Sequence, residues 1–266
     1  MKVALCFLIN NIINKENIWK RWIQQNNDII NVYIHYKDYT TIKSEWVKKH
    51  CMPLNCIMRT SYYHVVPAYM SLLYYAINND ANNQWFCFLS ESCVPIISPD
   101  EFRKVFYENN RVSIIKWSKA WWNVDFHKRS NLSFLTKEFQ LAHTPWFILT
   151  KEDALNCLLY TQTKNNVYSI VCKGGLANES IFAIILKSFN RLHVENVKND
   201  SSTLIDWSRM STATSPYVFK KYDNIEKMKY DVDWIIRSKK NNKYTLFLRK
   251  VDISFPDDVL EKMIYT

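Results

Sequence analysis

Apolar positions along the chain come in short continuous runs divided by polar turns, and the runs alternate between strand length and helical spacing. Val3 to Ile9 (Val-Ala-Leu-Cys-Phe-Leu-Ile) has the unbroken apolar character of a strand buried on both faces of a parallel sheet. Ile12, Ile13, Trp19, Trp22 and Ile23 then recur at roughly helical spacing. Val32 to His35 predicts a second strand, so the chain opens as a βαβ unit. Ile57-Met58 is a candidate third strand, and Val66 to Ile77 predicts a helix with Pro67 tolerated in its first turn. Trp85 to Leu89 predicts the central strand. It stops at the polar triplet Ser90-Glu91-Ser92, and Pro95 is expected to end ladder pairing. Asp100 to Tyr107 predicts a helix behind Pro99, with an acidic first turn.

The second half changes character. Arg111 to Trp122 reads as a strand running into a Trp-rich loop, and Asn123 to His143 is basic, aromatic and irregular. Trp146 to Leu149 predicts a strand, Lys151 to Thr161 a helix, and Glu179 to Phe189 an apolar-faced helix with Glu179 in its first turn. Leu192 to Val197 and Leu204 to Trp207 are short strand candidates, Asp223 to Lys229 a helix, and Tyr244 to Val251 a last strand ending in a basic pair. With no internal repeat and no low-complexity linker, one α/β domain over residues 1–266 is expected, with a mixed sheet flanked by helices and an elaborated C-terminal half. Open α/β sheets seat ligands outside the carboxyl ends of their strands, which directs attention to Ser90, Glu91 and Ser92.

Composition narrows the chemistry. At 48% hydrophobic and 15% aromatic, 266 residues can bury one large core. Only two glycines occur, the adjacent Gly174 and Gly175, so a dinucleotide fingerprint, a P-loop or a kinase phosphate loop cannot be built. Any phosphate must be held by side chains or helix N-termini. A net charge of +10 suits an anionic partner such as nucleic acid, acidic lipid or nucleotide, although the cations are scattered in short pairs. Seven cysteines without a Cys-x-x-Cys pair or zinc spacing fit a reducing compartment. No apolar segment is long enough for a membrane span, and a soluble, cytoplasmic protein is expected.

Several stretches resemble, in order, the Core-2/I-branching glycosyltransferase family, its plant-type branch and xylosyltransferase relatives most closely. They are Lys2 to Ile9, Val32-Tyr33-Ile34-His35, Phe88 to Ile96, Trp146 to Thr150, Asn178-Glu179-Ser180, Leu204 to Ser208 and Leu246 to Lys250. The resemblance implies a glycosyltransferase-A type fold and metal-independent inverting transfer from a UDP-linked sugar to a glycan or glycoconjugate. The sugar would be N-acetylglucosamine or xylose, and no cofactor is expected. Residues 1–110 would form the nucleotide-sugar half and 111–266 the acceptor-binding and catalytic half.

Under that resemblance Glu179 is the catalytic base, preceded by Asn178 where the family usually has Asp. Arg249 and Lys250 hold the donor diphosphate, with Arg237 as a second cation and Lys239, Lys240 or Lys243 as substitutes. Asn10, Asn11, His64 and Val65 seat the nucleoside, with Ser90, Glu91 and Ser92 beside them. Trp121, Trp122, Trp146 and Trp207 are candidates for stacking on acceptor sugars, and the 123–143 segment suits an acceptor loop. Each has a plainer alternative: Glu179 as a favourable helix-start acid, the tryptophans as core, a lone His as structural. Asp231-Val232-Asp233 has the form of a manganese-binding pair but lies late in a Lys-rich segment, and is expected to be surface charge. Two other classes stay open: a nucleic-acid-binding protein or base-modifying glycosyltransferase, drawn from the basic, aromatic surface, and a sugar- or nucleotide-binding protein without catalysis.

Overall fold

The continuous apolar runs become the centre of the main sheet. In a computed structural model that describes all residues except 211, 213 and 266, the elements in chain order are β1 (Lys2–Ile9), α1 (Glu16–Gln24), β2 (Ile30–Tyr36), α2 (Glu45–His50), α3 (Val66–Asn79), β3 (Asn83–Ser90), β4 (Val94–Pro95), α4 (Pro99–Asn109), β5 (Ser113–Ile114), β6 (Trp117–Lys119) and β7 (Leu141–His143). They continue with β8 (Ile148–Thr150), α5 (Lys151–Thr163), α6 (Asn165–Lys173), α7 (Ile181–Ser188), β9 (Val197–Lys198), β10 (Thr203–Ile205), α8 (Ile225–Lys240), β11 (Phe247–Arg249) and α9 (Asp257–Tyr265). Six strands form a mixed sheet in the order β2-β1-β3-β8-β5-β9. β1 runs parallel to β2 and β3, as the opening βαβ unit requires, while β8 lies antiparallel to β3. A three-stranded sheet, β10-β11-β4, and the β6-β7 ribbon complete the domain.

Alternate residues of β1 and β3 enter two different cores. Val3, Leu5 and Phe7 join Trp85, Cys87 and Leu89 against Trp19 and Trp22 of α1 and Phe102 and Phe106 of α4. Ala4 and Cys6 join Phe86 and Phe88 against Leu72 and Leu73 of α3 and the apolar face of α7. Trp19 meets Phe7 edge-on at 5.1 Å, and Trp22 meets Phe102 at 4.8 Å. Both indoles also donate, Trp19 Nε1 to the Cys93 carbonyl and Trp22 Nε1 to the Ile97 carbonyl, each at 2.9 Å. In this way α1 fixes the turn that follows β3. α4 starts where Ser98 accepts from the Glu101 N–H and Pro99 takes the first turn, which needs no N–H donor there.

The structure departs from expectation in several places. Pro95 does not end pairing: β4 leaves the main sheet and pairs antiparallel with β11, Pro95 opposite Phe247, at an edge where its missing N–H costs no ladder bond. Ile57-Met58 is no strand; it follows a 3₁₀ turn at Leu54–Cys56, and the Met58 N–H bonds the His35 ring instead. Arg111 to Trp122 holds two short strands, and Leu192 to Val197 contributes only its last residue to β9. α6 and α9 were not foreseen, and α8 runs well past Lys229. Its inward residues Asp231 and Ile235 share one face at helical spacing, and polar Lys-rich neighbours mask that pattern. α9 is tied to the first loop by the buried Lys15, whose ammonium bonds the Ile253 and Phe255 carbonyls and Asp257.

Trp19→Phe keeps a ring in the core and removes the donor to the buried Cys93 carbonyl. The expected loss is about 1–3 kcal/mol, read as a lower urea midpoint with an unchanged slope. An unchanged midpoint would show that this bond does not hold the post-β3 turn.

Candidate active site

Polar residues at the carboxyl ends of β1 and β3 meet the end of β11. Glu91 accepts from the Asn10 backbone N–H at 2.7 Å and from its side-chain amide at 3.1 Å. Asn14 donates its N–H to the Glu91 carbonyl and its side chain to the Val251 carbonyl, and the Val251 N–H bonds the Ser92 carbonyl at 2.9 Å. Ser90 and Ser92 are buried with their hydroxyls 3.2 Å apart, and Arg249 donates Nε to Ser90 Oγ at 3.2 Å. The Arg249 guanidinium lies over the Trp146 ring at 4.8 Å. Burial pushes its pKa down from the ordinary value, with Cys93, Tyr69, Glu91 and Tyr62 acting the other way. An arginine remains cationic through such a shift. Among the described residues no carboxylate forms an ion pair with it, so its charge has a hydroxyl and a ring face for company, which suits an incoming anion.

The other expected cations are placed differently. Lys250 is half-buried, and its carbonyl accepts from the Phe219 N–H at 2.9 Å. Arg237 is exposed on α8 and donates to the Asp233 carbonyl of its own helix; it makes no contact with the Ser90–Arg249 group among the described residues. Lys239 reaches Glu101 at 3.5 Å, and Lys243 lies over Tyr244.

The Asp231 half of the Asp-x-Asp is not surface charge. Asp231 is fully buried, accepting from Arg209 Nη1 at 2.6 Å and from the Tyr217 hydroxyl at 3.1 Å, while Asp233 is exposed. Arg209 also donates Nε to the buried Asp206 at 2.5 Å and stacks on Tyr217 at 3.9 Å. Two buried carboxylates are tolerable because both pair with this one cation and accept further hydrogen bonds, Asp206 from Ser208 and Asp231 from Tyr217. The arrangement ties Asp206 and Tyr217 to α8, and Phe219, two residues on, bonds the Lys250 carbonyl.

Glu179 is not in the first turn of α7. It closes the 3₁₀ turn Ala177–Glu179, which begins after Leu176 at φ 58°, and α7 starts at Ile181. Arg129 from the irregular 123–143 segment donates Nη2 to Glu179 Oε2 while its guanidinium lies over Trp122 at 4.4 Å and Trp121 at 5.6 Å. Two backbone bonds dock the neighbouring strands of this site: Ser130 N–H to the Gly175 carbonyl at 2.9 Å, and Leu176 N–H to the Tyr63 carbonyl at 3.0 Å. Gly174 is required by close approach, since a Cβ there would stand 2.5 Å from the Asn131 nitrogen and 2.6 Å from the Ser130 carbonyl carbon. A cleft of about 420 Å³ opens beside the turn, walled by Tyr63, Trp122, Phe126, Lys128, Arg129 and Leu176. Around it Trp122 Nε1, Arg129 Nε, Asn178 Oδ1 and Ser180 Oγ are buried without a hydrogen-bond partner.

The fold therefore gathers two groups. Asn10, Ser90, Glu91, Ser92, Trp146 and Arg249 form one, and Glu179 with Trp121 and Trp122 forms the other. The 61–64 turn lies between them, with Tyr62 within electrostatic reach of Arg249 and Tyr63 bonded to Leu176. His64 is exposed in that turn, exchanging backbone bonds with Ser61, and Val65 is the residue before α3. Asn11 is half-buried beyond β1, and Trp207 is 48% exposed beyond β10, without a contact to either group among the described residues. Arg129, Tyr63 and His35 were not singled out from the sequence. Only the basic, aromatic character of the 123–143 segment pointed toward Arg129.

The protein is thus a mixed α/β domain with a part-buried cation, Arg249, near the end of its central strand and a separate carboxylate, Glu179. The model of the Core-2/I-branching enzyme family matches residues 3–230, and the chain belongs to that family of glycosyltransferases. No curated protein matches the chain. The matched span includes Glu91 and Glu179 and ends before Arg249. No helix among the described residues is long and apolar enough to cross a membrane.

Two buried histidines give the protein a definite acid response. His35 accepts the Met58 N–H on Nε2, and His143 packs edge-on against Phe147 and Phe182 with Nδ1 on the Thr144 carbonyl. Burial pushes both down from 6.5 to about 4. The unfolded chain takes up these protons first, so the stabilisation is full above pH 6.5 and declines as pH falls toward 4, on the order of 3 kcal/mol for each. Urea midpoints across that range should fall less steeply for His143→Leu than for the wild type; parallel curves would show that His143 does not titrate in this way.

Proposed function

We propose that the chain is a metal-independent, inverting transferase of the glycosyltransferase-A type that moves N-acetylglucosamine or xylose from a UDP-sugar to a glycan or glycoconjugate hydroxyl. The observation that carries this reading is Arg249, a part-buried cation with no carboxylate partner among the described residues, held by Ser90 at the carboxyl end of the central strand. A leaving nucleoside diphosphate gains negative charge as its bond to the sugar breaks, and a fixed cation supplies the stabilisation that a divalent ion gives elsewhere. Ser90-Glu91-Ser92 stands where an Asp-x-Asp would otherwise follow the strand.

In the reaction, Glu179 accepts the proton of the acceptor hydroxyl as that oxygen forms its bond to the anomeric carbon. The bond from that carbon to the diphosphate oxygen breaks on the opposite face, and its electron pair leaves with the nucleotide toward Arg249 and Lys250. Asn10 and Glu91, locked to each other, would define the nucleoside edge, and Trp121 and Trp122 the acceptor side. Glu179→Gln is expected to lower transfer 10²–10⁴-fold with donor affinity preserved. Arg249→Met is expected to weaken UDP binding at least tenfold, measured by calorimetry in EDTA. Full activity of Glu179→Gln, or binding of UDP only when manganese is added, would overturn the proposal.

A further inference from the structure

Arg129 is only partly satisfied by Glu179. One of its terminal nitrogens bonds Glu179 Oε2, its flat face covers Trp122, and its Nε is buried with no acceptor at all. Trp122 Nε1 is a second buried donor without an acceptor in the same wall. Unmet donors of this kind favour an oxygen-bearing ligand. The cleft they border has aromatic walls in Tyr63, Trp122 and Phe126, and Lys128 adds a second cation. Aromatic rings suit the apolar faces of a sugar, and a guanidinium edge suits the two oxygens of a carboxylate. The carboxylate that Arg129 holds is Glu179 itself, through Oε2.

We infer that the cleft takes an acidic saccharide, a hexuronate or a sugar of similar carboxylate chemistry, and that the ligand's carboxylate replaces Glu179 on Arg129. The exchange moves Arg129 from Glu179 to the ligand, so Glu179 becomes the carboxylate without a cation, with Lys128 as the other positive charge of the lining and with Oε2 open toward the ligand's hydroxyls. An acidic acceptor thereby frees the residue proposed as base, whereas a neutral one leaves it tied. This consequence rests on the proposed role of Glu179; the binding preference does not.

The test compares matched pairs, methyl glucuronoside against methyl glucoside and methyl galacturonoside against methyl galactoside, by calorimetry on the full chain. At least tenfold tighter binding of each acid is expected, weakening as salt is raised. Arg129→Gln should remove the preference and Arg129→Lys should retain part of it, with urea midpoints confirming that both fold. Glu179→Gln should bind the acids more tightly than wild type, because the competing carboxylate is gone. Equal affinities within each pair, or a preference that survives in Arg129→Gln, would overturn the inference. Transfer activity separates the two readings: an active Glu179→Gln with an intact acid preference refutes the base and leaves the cleft assignment standing, and the reverse result refutes only the cleft.

Discussion

Both faces of β1 and β3 are buried, and a strand in that position can carry polar chemistry only at its ends. Each side chain between Val3 and Phe7, and between Trp85 and Leu89, is committed to one of two cores on opposite sides of the sheet. The first residues free to be polar are Asn10, Ser90 and Glu91, and parallel pairing sets them side by side. The position of this polar group therefore follows from hydrophobic packing. Polar contacts then set its details: Glu91 clasps Asn10, while the post-β3 turn is held from behind by the Trp19 indole and in front by the 249–251 segment.

Three arginines show three ways of lodging a cation inside this domain. Arg209 lies between Asp206 and Asp231 on a bed of aromatic rings, so its charge is compensated and it ties Asp206 to α8. Arg129 has one acid, Glu179, and unmet donor capacity. Arg249 has a hydroxyl and a ring face. A buried cation becomes more receptive to an external anion as its internal compensation falls, and the three form a graded series in that respect.

Features with a local physical cause were readable from the residues alone. The period-free apolar runs marked β1 and β3, and Pro99 with the acidic turn after it marked α4. The abrupt change from Leu89 to Ser90 marked the end of the apolar part of β3. What escaped notice depends on partners far away in sequence. Asp231 looks like surface charge until Arg209, 22 residues earlier, folds onto it. Pro95 looks like a stop until β11 arrives to pair beside it. Arg129 reaches Glu179 across 50 residues, and nothing in its neighbours' spacing announces that contact. Arg237 follows the same logic in reverse: its place in sequence suggested the diphosphate, and the unforeseen length of α8 turned it to solvent.

Left-handed backbone is normally assigned to glycine, yet here Ser130, Asn131 and Leu176 adopt it beside the candidate base, at φ values of 55°, 49° and 58°. The two glycines are next door at 174 and 175 without positive φ; Gly174 is retained for the space that a Cβ would occupy. For a bulky residue such as Leu176 the conformation costs about 1 kcal/mol or more. Ordinary side chains thus hold a turn that glycine would adopt freely, and the molecule bears conformational strain at the place where its chemistry is proposed.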